Sequence, residues 1–330
     1  MTRLRRTSPA EPGWTRRRAG RGFVYVDADG QRLADDEVER CVALVIPPAW
    51  TDVWICPAAN GHLQAVGTDD AGRRQYLYHP AWRERRDAEK FRRAVALGKR
   101  MARTRERVAV DLAGDGLPLE RACACAFRLI DLGYFRIGND VYADAHGSFG
   151  LTTLQVEHVR RRNGALLFEF TGKSGVEHAI EIADPAVVDA VLAMRRRRGA
   201  RQLLAWRDGR RWRTLDPATV NAYVRDVTGL DVTAKDLRTW HATVLAAVAL
   251  AEAPPAETAA ARRRTVAAAM REVASYLGNT PAVARSSYVA PGVLDAFEEG
   301  RTIAATLRRP YADDDARQAA VERATARLLG

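Results

Sequence analysis

Lysine is nearly missing from this chain. Lys90, Lys99, Lys173 and Lys235 are the four lysines among 52 Lys+Arg, and every other basic residue is arginine. A codon preference that converted lysine wherever either cation serves accounts for the pattern. A retained lysine then marks a place suited to a donatable proton or a compact charge, which arginine supplies poorly. Long apolar runs are missing too. None approaches the ~18 residues of a membrane-spanning helix, so an anionic membrane is the weaker of the possible partners. The four cysteines, Cys41, Cys56, Cys123 and Cys125, lack zinc-ligand spacing, and Cys123 and Cys125 would point to different sides of a helix. Reduced, buried thiols in a cytosolic protein are expected. Six histidines are scattered and no carboxylate cluster is evident, so neither a metal site nor a cofactor is expected. Arg3, Arg5, Arg6 and Arg16 to Arg18 precede no hydrophobic core of a signal peptide. Residues 1–21 read as a flexible basic arm, with an Arg-rich transit peptide as the alternative. There is no internal repeat and no low-complexity tract.

What is present is positive charge on an otherwise ordinary globular composition. The 330 residues are 47% hydrophobic and 28% charged, with a net charge of +11. Such an excess suits a polyanion, nucleic acid first. The pattern of elements predicts an α+β protein of two domains. Residues 1–80 form a small strand-rich N-terminal domain. Residues 81–330 form a larger, mainly helical domain with a three-stranded sheet or hairpin.

In the first domain, strands are expected at Phe23 to Val26, Val53 to Cys56, Leu63 to Gly67 and Arg73 to His79, with one helix from Asp35 to Ala43. The last strand alternates polar and aromatic groups: Arg73, Arg74, Gln75, Tyr76, Tyr78. Glutamine can read a base edge and tyrosine can stack or bond to phosphate, though a solvated strand face explains the pattern as well. Helix follows from Arg83 to Val108 and from Leu119 to Leu132, the latter closed by Gly133. It delivers Arg136 between Phe135 and Ile137, a costly place for a charge without a partner. That partner is either a carboxylate or a phosphate.

Three strands are expected next, at Gly150 to Val159, Ala165 to Phe170 and Val176 to Ile182. The turn Thr171-Gly172-Lys173-Ser174-Gly175 looks like a nucleotide-binding loop, but such a loop needs glycine where Leu167 stands and a helix afterwards. A strand follows instead, so ATP binding is rejected and Lys173 lies at a hairpin tip. Helices resume at Pro185 to Arg197 and Pro217 to Val227. Thr233-Ala234-Lys235-Asp236 makes a capping box for a helix to about Ala251. Leu237, Trp240, Val244, Leu245 and Val248 form its apolar stripe, with Arg238 at the edge, where either an ion pair or a cleft would take it. A helix from Thr258 to Leu277 ends in Gly278-Asn279. Thr280 and Pro281 open a short helix that carries Tyr288 to its end. One or two amphipathic helices fill Gly292 to Leu329.

If Arg136, Lys173, Arg238, Asn279 and Tyr288 converge, they have the parts for attack on a phosphodiester. Two guanidiniums and an amide hold the non-bridging oxygens. The phenol of Tyr288 attacks phosphorus and Lys173 protonates the departing oxygen.

Taken together, Val53-Trp54-Ile55 through Tyr76-Leu77-Tyr78-His79-Pro80, Phe135-Arg136-Ile137-Gly138-Asn139, Gly150-Leu151-Thr152-Thr153-Leu154, Gly172-Lys173-Ser174-Gly175, Ala234 to Trp240 and the Tyr288 segment resemble the type IB DNA topoisomerases of the compact bacterial and poxvirus kind. The resemblance spans nearly the whole chain. It implies catalytic arginines at Arg136 and Arg238, a general acid at Lys173 and a nucleophile at Tyr288. It implies a 3′-phosphotyrosyl intermediate, strand rotation and religation without ATP or metal. It also implies a monomer closing around duplex DNA in the bacterial cytoplasm, at the nucleoid. Gln75, Tyr76 and Tyr78 fall on the family's DNA-contacting strand, with Arg73, Arg74 and Lys235 as further contacts. Asn279 stands where many relatives carry histidine; it donates the same bond without titrating. The rivals are a tyrosine recombinase or integrase and a non-enzymatic basic DNA-binding protein. Recombinases typically have histidine where Lys235 stands and a helical N-terminal module.

Overall fold

The computed structural model describes residues 3–138 and 147–330, so Asn139 of the Arg136 motif lies outside the described residues. The chain forms two compact units, Met1–Glu89 and Lys90–Gly330.

In the first unit, β1 (Thr15–Ala19) and β2 (Gly22–Val26) make an antiparallel hairpin. Helix α1 (Asp35–Ala43) follows, with Asp35, Asp36 and Glu37 in its first turn, where the helix dipole favours negative charge. Strands β3 (Thr51–Ile55), β4 (Leu63–Thr68) and β5 (Arg74–Tyr78) form an antiparallel sheet in that order. β4 is central and buried; β5 is an edge with alternating exposure. Trp14, Tyr25, Cys41, Val53, Ile55 and Ala65 make the core.

The expected flexible arm is corrected here, because residues 14–19 are part of the fold. Trp14 is buried and exchanges backbone hydrogen bonds with Ile55 at 2.8 and 2.7 Å. The Arg16 guanidinium lies over Phe23 and donates to the carbonyls of Ile46, Pro47 and Trp50. An arginine run reads as solvated, yet a long side chain can lay its stem on apolar surface and cap carbonyls with its head.

The second unit begins within α2 (Pro80–Gly98), which is followed by α3 (Met101–Leu112) and α4 (Leu119–Gly133). The single helix expected over 83–108 is therefore broken at residues 99–100. α4 is buried through most of its length and supplies Phe127, Leu129 and Ile130 to the core. Next come β6 (Val159–Arg162), β7 (Ala165–Thr171) and β8 (Glu177–Ile182), an antiparallel sheet in chain order. The strand expected from Gly150 to Val159 is instead two 3₁₀ turns, Leu151–Thr153 and Val156–His158. Thr153 sets the first turn, its hydroxyl accepting from Gly150 N and donating to Gly150 O. Local side-chain bonds of this kind compete with a ladder.

Helix α5 (Pro185–Arg195) leads to a hairpin that the sequence does not announce, β9 (Ala205–Asp208) with β10 (Arg211–Thr214). Helices α6 (Pro217–Thr228), α7 (Ala234–Glu252), α8 (Ala259–Leu277), α9 (Pro291–Glu298), α10 (Ala304–Leu307) and α11 (Asp314–Leu328) complete the unit. Trp240 of α7 is fully buried and fits only because Gly98 has no side chain: a Cβ there would stand 2.2 Å from the indole. The four cysteines are free thiols, all buried.

Beneath these helices lies a buried ionic knot. Asp131 of α4 accepts from Arg105 of α3 and from Arg128, while Arg105 also donates twice to Glu322 of α11. Arg105 drives the Asp131 carboxyl far below the usual carboxylate range against the opposing effect of burial, and His241 adds to it. Paired in this way, the carboxylates fix the register of three helices. Removing one partner would leave a buried charge uncompensated.

Candidate active site

The site is assembled from three chain reversals. After α4, Tyr134 takes a left-handed conformation (φ 53°) and turns the chain, burying Phe135 and setting Arg136 on the next stretch. That stretch is held at close range: Arg136 O accepts from Leu151 N at 2.7 Å, and a Cβ on Gly150 would meet Gly138 Cα at 2.5 Å.

The second reversal ends α8. Gly278 closes the helix at φ 59°, and Asn279 N returns to Ala274 O at 3.0 Å. This exposes three acceptors to the guanidiniums. Arg136 Nη2 donates to Gly278 O at 2.8 Å and to Asn279 Oδ1 at 2.5 Å, and Arg238 Nη2 donates to Leu277 O at 3.0 Å.

The third reversal carries Tyr288. Thr280 caps a single turn, Pro281–Val283, which widens into a π turn over Ala284–Tyr288. Such wide turns recur at functional sites because they re-aim a side chain. Here the Tyr288 ring lies 5.7 Å from the Arg238 guanidinium carbon.

Arg238 is 4% exposed, deeper than the edge position expected from the α7 stripe. The capping box at Thr233 is present: Asp236 accepts from the Thr233 backbone N–H and hydroxyl, both at 2.9 Å. It fixes the rotation of α7 and hence the direction of Arg238. Burial, then the neighbouring Arg136, lower Arg238 to about 10, against a raising effect of Tyr288. Burial also lowers Arg136. Both guanidiniums remain cationic at neutral pH.

Two buried donors here have no hydrogen-bond partner among the described residues: Arg238 Nε and Asn279 Nδ2. A buried unpaired donor costs about 1–3 kcal/mol, and more when charged. Two donors beside two cations describe a place for an anion's oxygens.

Lys173 is not in this cluster. It is exposed on the β7–β8 turn, where Ser174 adopts φ 65°. The turn is nonetheless anchored to the site by a residue that sequence reasoning passed over. The His178 ring stacks on Phe170 and is wedged between two glycines: a Cβ on Gly172 would lie 2.6 Å from the ring, and one on Gly278 2.5 Å. Burial, then Arg136 and Arg238, lower the His178 pKa, so the ring stays neutral.

A second residue missed from sequence is Thr243, buried one turn beyond Thr239 on α7. Its hydroxyl donates to Thr239 O at 2.8 Å, lies 3.3 Å from Tyr288 O and accepts from Ala290 N at 3.1 Å. The sequence signal was a pair of threonines, Thr239 and Thr243, one turn apart on α7.

The wedge has a pH consequence. Above the ordinary histidine pKa of 6.5 the ring is neutral whether the chain is folded or not. Below it, the unfolded chain binds the proton first, so folding stability falls with pH. Thermal melts at pH 7.5 and 5.5 should show a larger loss in the native protein than in His178→Gln. Equal losses would remove His178 from the acid response.

The residues expected on β5 do not act as one surface. Arg74, Tyr76 and Tyr78 share the exposed face, the two tyrosine rings stacked at 6.2 Å. Gln75 faces the other way and donates to Asp69 at 2.8 Å, and Arg73 pairs with the same carboxylate. In the second unit, Lys235 is exposed in the first turn of α7, three residues before Arg238.

Residues 79–301 match the family described as eukaryotic DNA topoisomerase I, catalytic core. The chain belongs to that family. Residues 22–69 of this topoisomerase match the bacterial DNA topoisomerase IB N-terminal domain. The enzyme is also 28% identical over 294 residues to DNA topoisomerase 1B of Acanthamoeba polyphaga mimivirus, an alignment covering 87% of this chain and 88% of that one. It is a DNA-binding isomerase, a type IB DNA topoisomerase. No described helix is long and apolar enough to cross a membrane. Among the described residues, no group of three His, Cys, Asp or Glu is placed to hold a metal ion.

Proposed function

We propose that the topoisomerase cleaves one DNA strand at the Arg136–Arg238–Asn279 cluster with Tyr288 as nucleophile. The Tyr288 oxygen bonds to phosphorus, giving up its phenolic proton to water, and the bond from phosphorus to the 5′ oxygen breaks, leaving a 3′-phosphotyrosyl link. Lys173 gives its proton to the departing 5′ oxygen. The free strand rotates, and the 5′ hydroxyl then attacks the phosphotyrosine, returning its proton to Lys173 and releasing Tyr288, which takes a proton back from water. Bond energy is stored in the enzyme–DNA link, so ATP is not required.

The observation that carries this reading is the pair of orphaned donors, Arg238 Nε and Asn279 Nδ2, in a cluster whose Arg238 guanidinium lies 5.7 Å from the Tyr288 ring. Donors fixed in advance where charge develops are worth about 10²–10³ in rate each. Asn279 cannot ionise, so its share in holding the phosphate is independent of pH. Lys173 meets the 5′ oxygen by movement of its turn, which the exposed ammonium permits.

The chain acts as a monomer that closes around the duplex, with Tyr76, Tyr78 and Arg74 as the contacts of β5 and Lys235 beside the cluster. Gln75 and Arg73, engaged with Asp69, join them only by exchanging that partner. The match to a bacterial N-terminal domain supports work at the nucleoid. Supercoiled plasmid in EDTA without ATP tests the reading. Relaxation through a ladder of intermediates is expected; site-dependent strand exchange indicates a recombinase, and a mobility shift alone indicates a binding protein.

A further inference from the structure

The β9–β10 hairpin takes no part in the cluster described above. Between positions 195 and 213 the sequence holds nine arginines and one carboxylate, Asp208. Asp208 is taken by Arg213 at 2.7 Å. Among the described residues, Arg207, Arg210 and Arg211 have no carboxylate in ion-pair range, and all three are exposed. The ribbon is two strands wide. Its register pairs Trp212 with Arg207 and Arg211 with Asp208, so each face carries a guanidinium without a carboxylate partner, Arg207 Nε donating to Gly209 O at 3.1 Å, with Arg210 at the tip beside Gly209 (φ 58°). Trp212 is 41% exposed, with the guanidinium of Arg197 5.4 Å from its ring.

Arg197 makes the ribbon's base firm, donating to the carbonyls of Met194, Gln202 and Leu203. Charged edges can serve merely to keep strands from aggregating. A protective role asks for neither a single sign of charge nor an exposed indole. A two-stranded ribbon fits the major groove of a duplex, and arginines beside a flat aromatic ring suit phosphates and base edges.

Position argues the rest. Arg207 N donates to Leu117 O at 2.7 Å, just before α4, whereas Arg136 lies just after it. The helix between has 15 residues, about 22 Å, or about six base pairs at 3.4 Å each. A duplex held at the tyrosine therefore has its flank within the ribbon's distance.

We propose that the β9–β10 ribbon is a second DNA contact of this enzyme, engaging the flank of the duplex whose linkage lies at Arg136 and Arg238. It rests on that placement of the cleaved linkage. The flank is favoured over a second duplex because, once one linkage is bound, its neighbouring base pairs are at high effective concentration.

The test compares the full chain with the triple variant Arg207→Ser, Arg210→Ser, Arg211→Ser. Each is titrated with a cleavable duplex having flanks of about four base pairs and one with flanks of about fifteen, over a range of salt. Each phosphate contact adds about 0.9 to the slope of log affinity against log salt. The native slope should be steeper on the long duplex by about 2–3, and the variant should show one slope on both. Equal slopes of native and variant protein on the long duplex overturn the proposal. So does a loss of slope on the short duplex too, or a native increment that appears only when a second, unlinked duplex is added. Covalent adduct on the short duplex reports separately on the cluster: its absence from both proteins counts against Tyr288, and the slopes still decide the ribbon.

Discussion

Tyr288→Phe is expected to bind duplex DNA as tightly as the native enzyme and to form no covalent adduct. The substitution removes one oxygen and leaves the ring, which lies near Arg238 and packs against the α7–α8 core. The backbone that positions it is also untouched, since Thr243 and the π turn hold main-chain atoms. Loss should therefore be confined to chemistry, with relaxation falling to background while the affinity and its salt dependence stay the same. Affinity itself should fall by about 10³ or more between 50 and 200 mM salt if six or more phosphates are met. A denaturing gel of protein on labelled DNA gives the answer. Any adduct from Tyr288→Phe would transfer the nucleophile to another residue.

Lys173→Ala should slow cleavage by about 10²–10⁴, the range of a positioned proton donor. An alkoxide is a poor leaving group without a proton, whereas a thiol ionises near 8.5, about where a thiolate departs unaided. Replacing the bridging 5′ oxygen by sulfur should restore most of the rate to Lys173→Ala and change the native enzyme little. Arginine at this position would keep the charge but hold its proton, so Lys173→Arg should resemble the alanine variant on the oxygen substrate. Failure of sulfur to rescue would place the acid elsewhere. The exposed turn makes this the more exacting test, because the lysine stands outside the cluster that the other four residues form.

Much of this architecture was legible where local chemistry decides. The helix at Asp35–Ala43, the Thr233–Asp236 cap and the left-handed Gly278 follow from side chains that bond to, or free, their own backbone. What escaped was settled at a distance. The stretch 150–158 has strand-forming residues, but its backbone is claimed by Arg136 O, Ile137 O and the Thr153 hydroxyl. The β9–β10 hairpin hides in arginines and tryptophans that carry no alternation. Arg238 looked like a boundary residue and is buried, because its partner is the Leu277 carbonyl at the end of another helix. His178 had no signal at all; only the two missing side chains at Gly172 and Gly278 make room for it.

The Thr243 hydroxyl has a mechanical consequence. It ties the main chain around Tyr288 to the helix that carries Arg238. With Tyr288 as the proposed nucleophile, the DNA would pull on the protein through a single ester while one strand swivels about its partner. That load would pass into α7, anchored in the core by Trp240, and not into a surface loop. The severed end would thereby be kept beside the charges that must receive its returning mate.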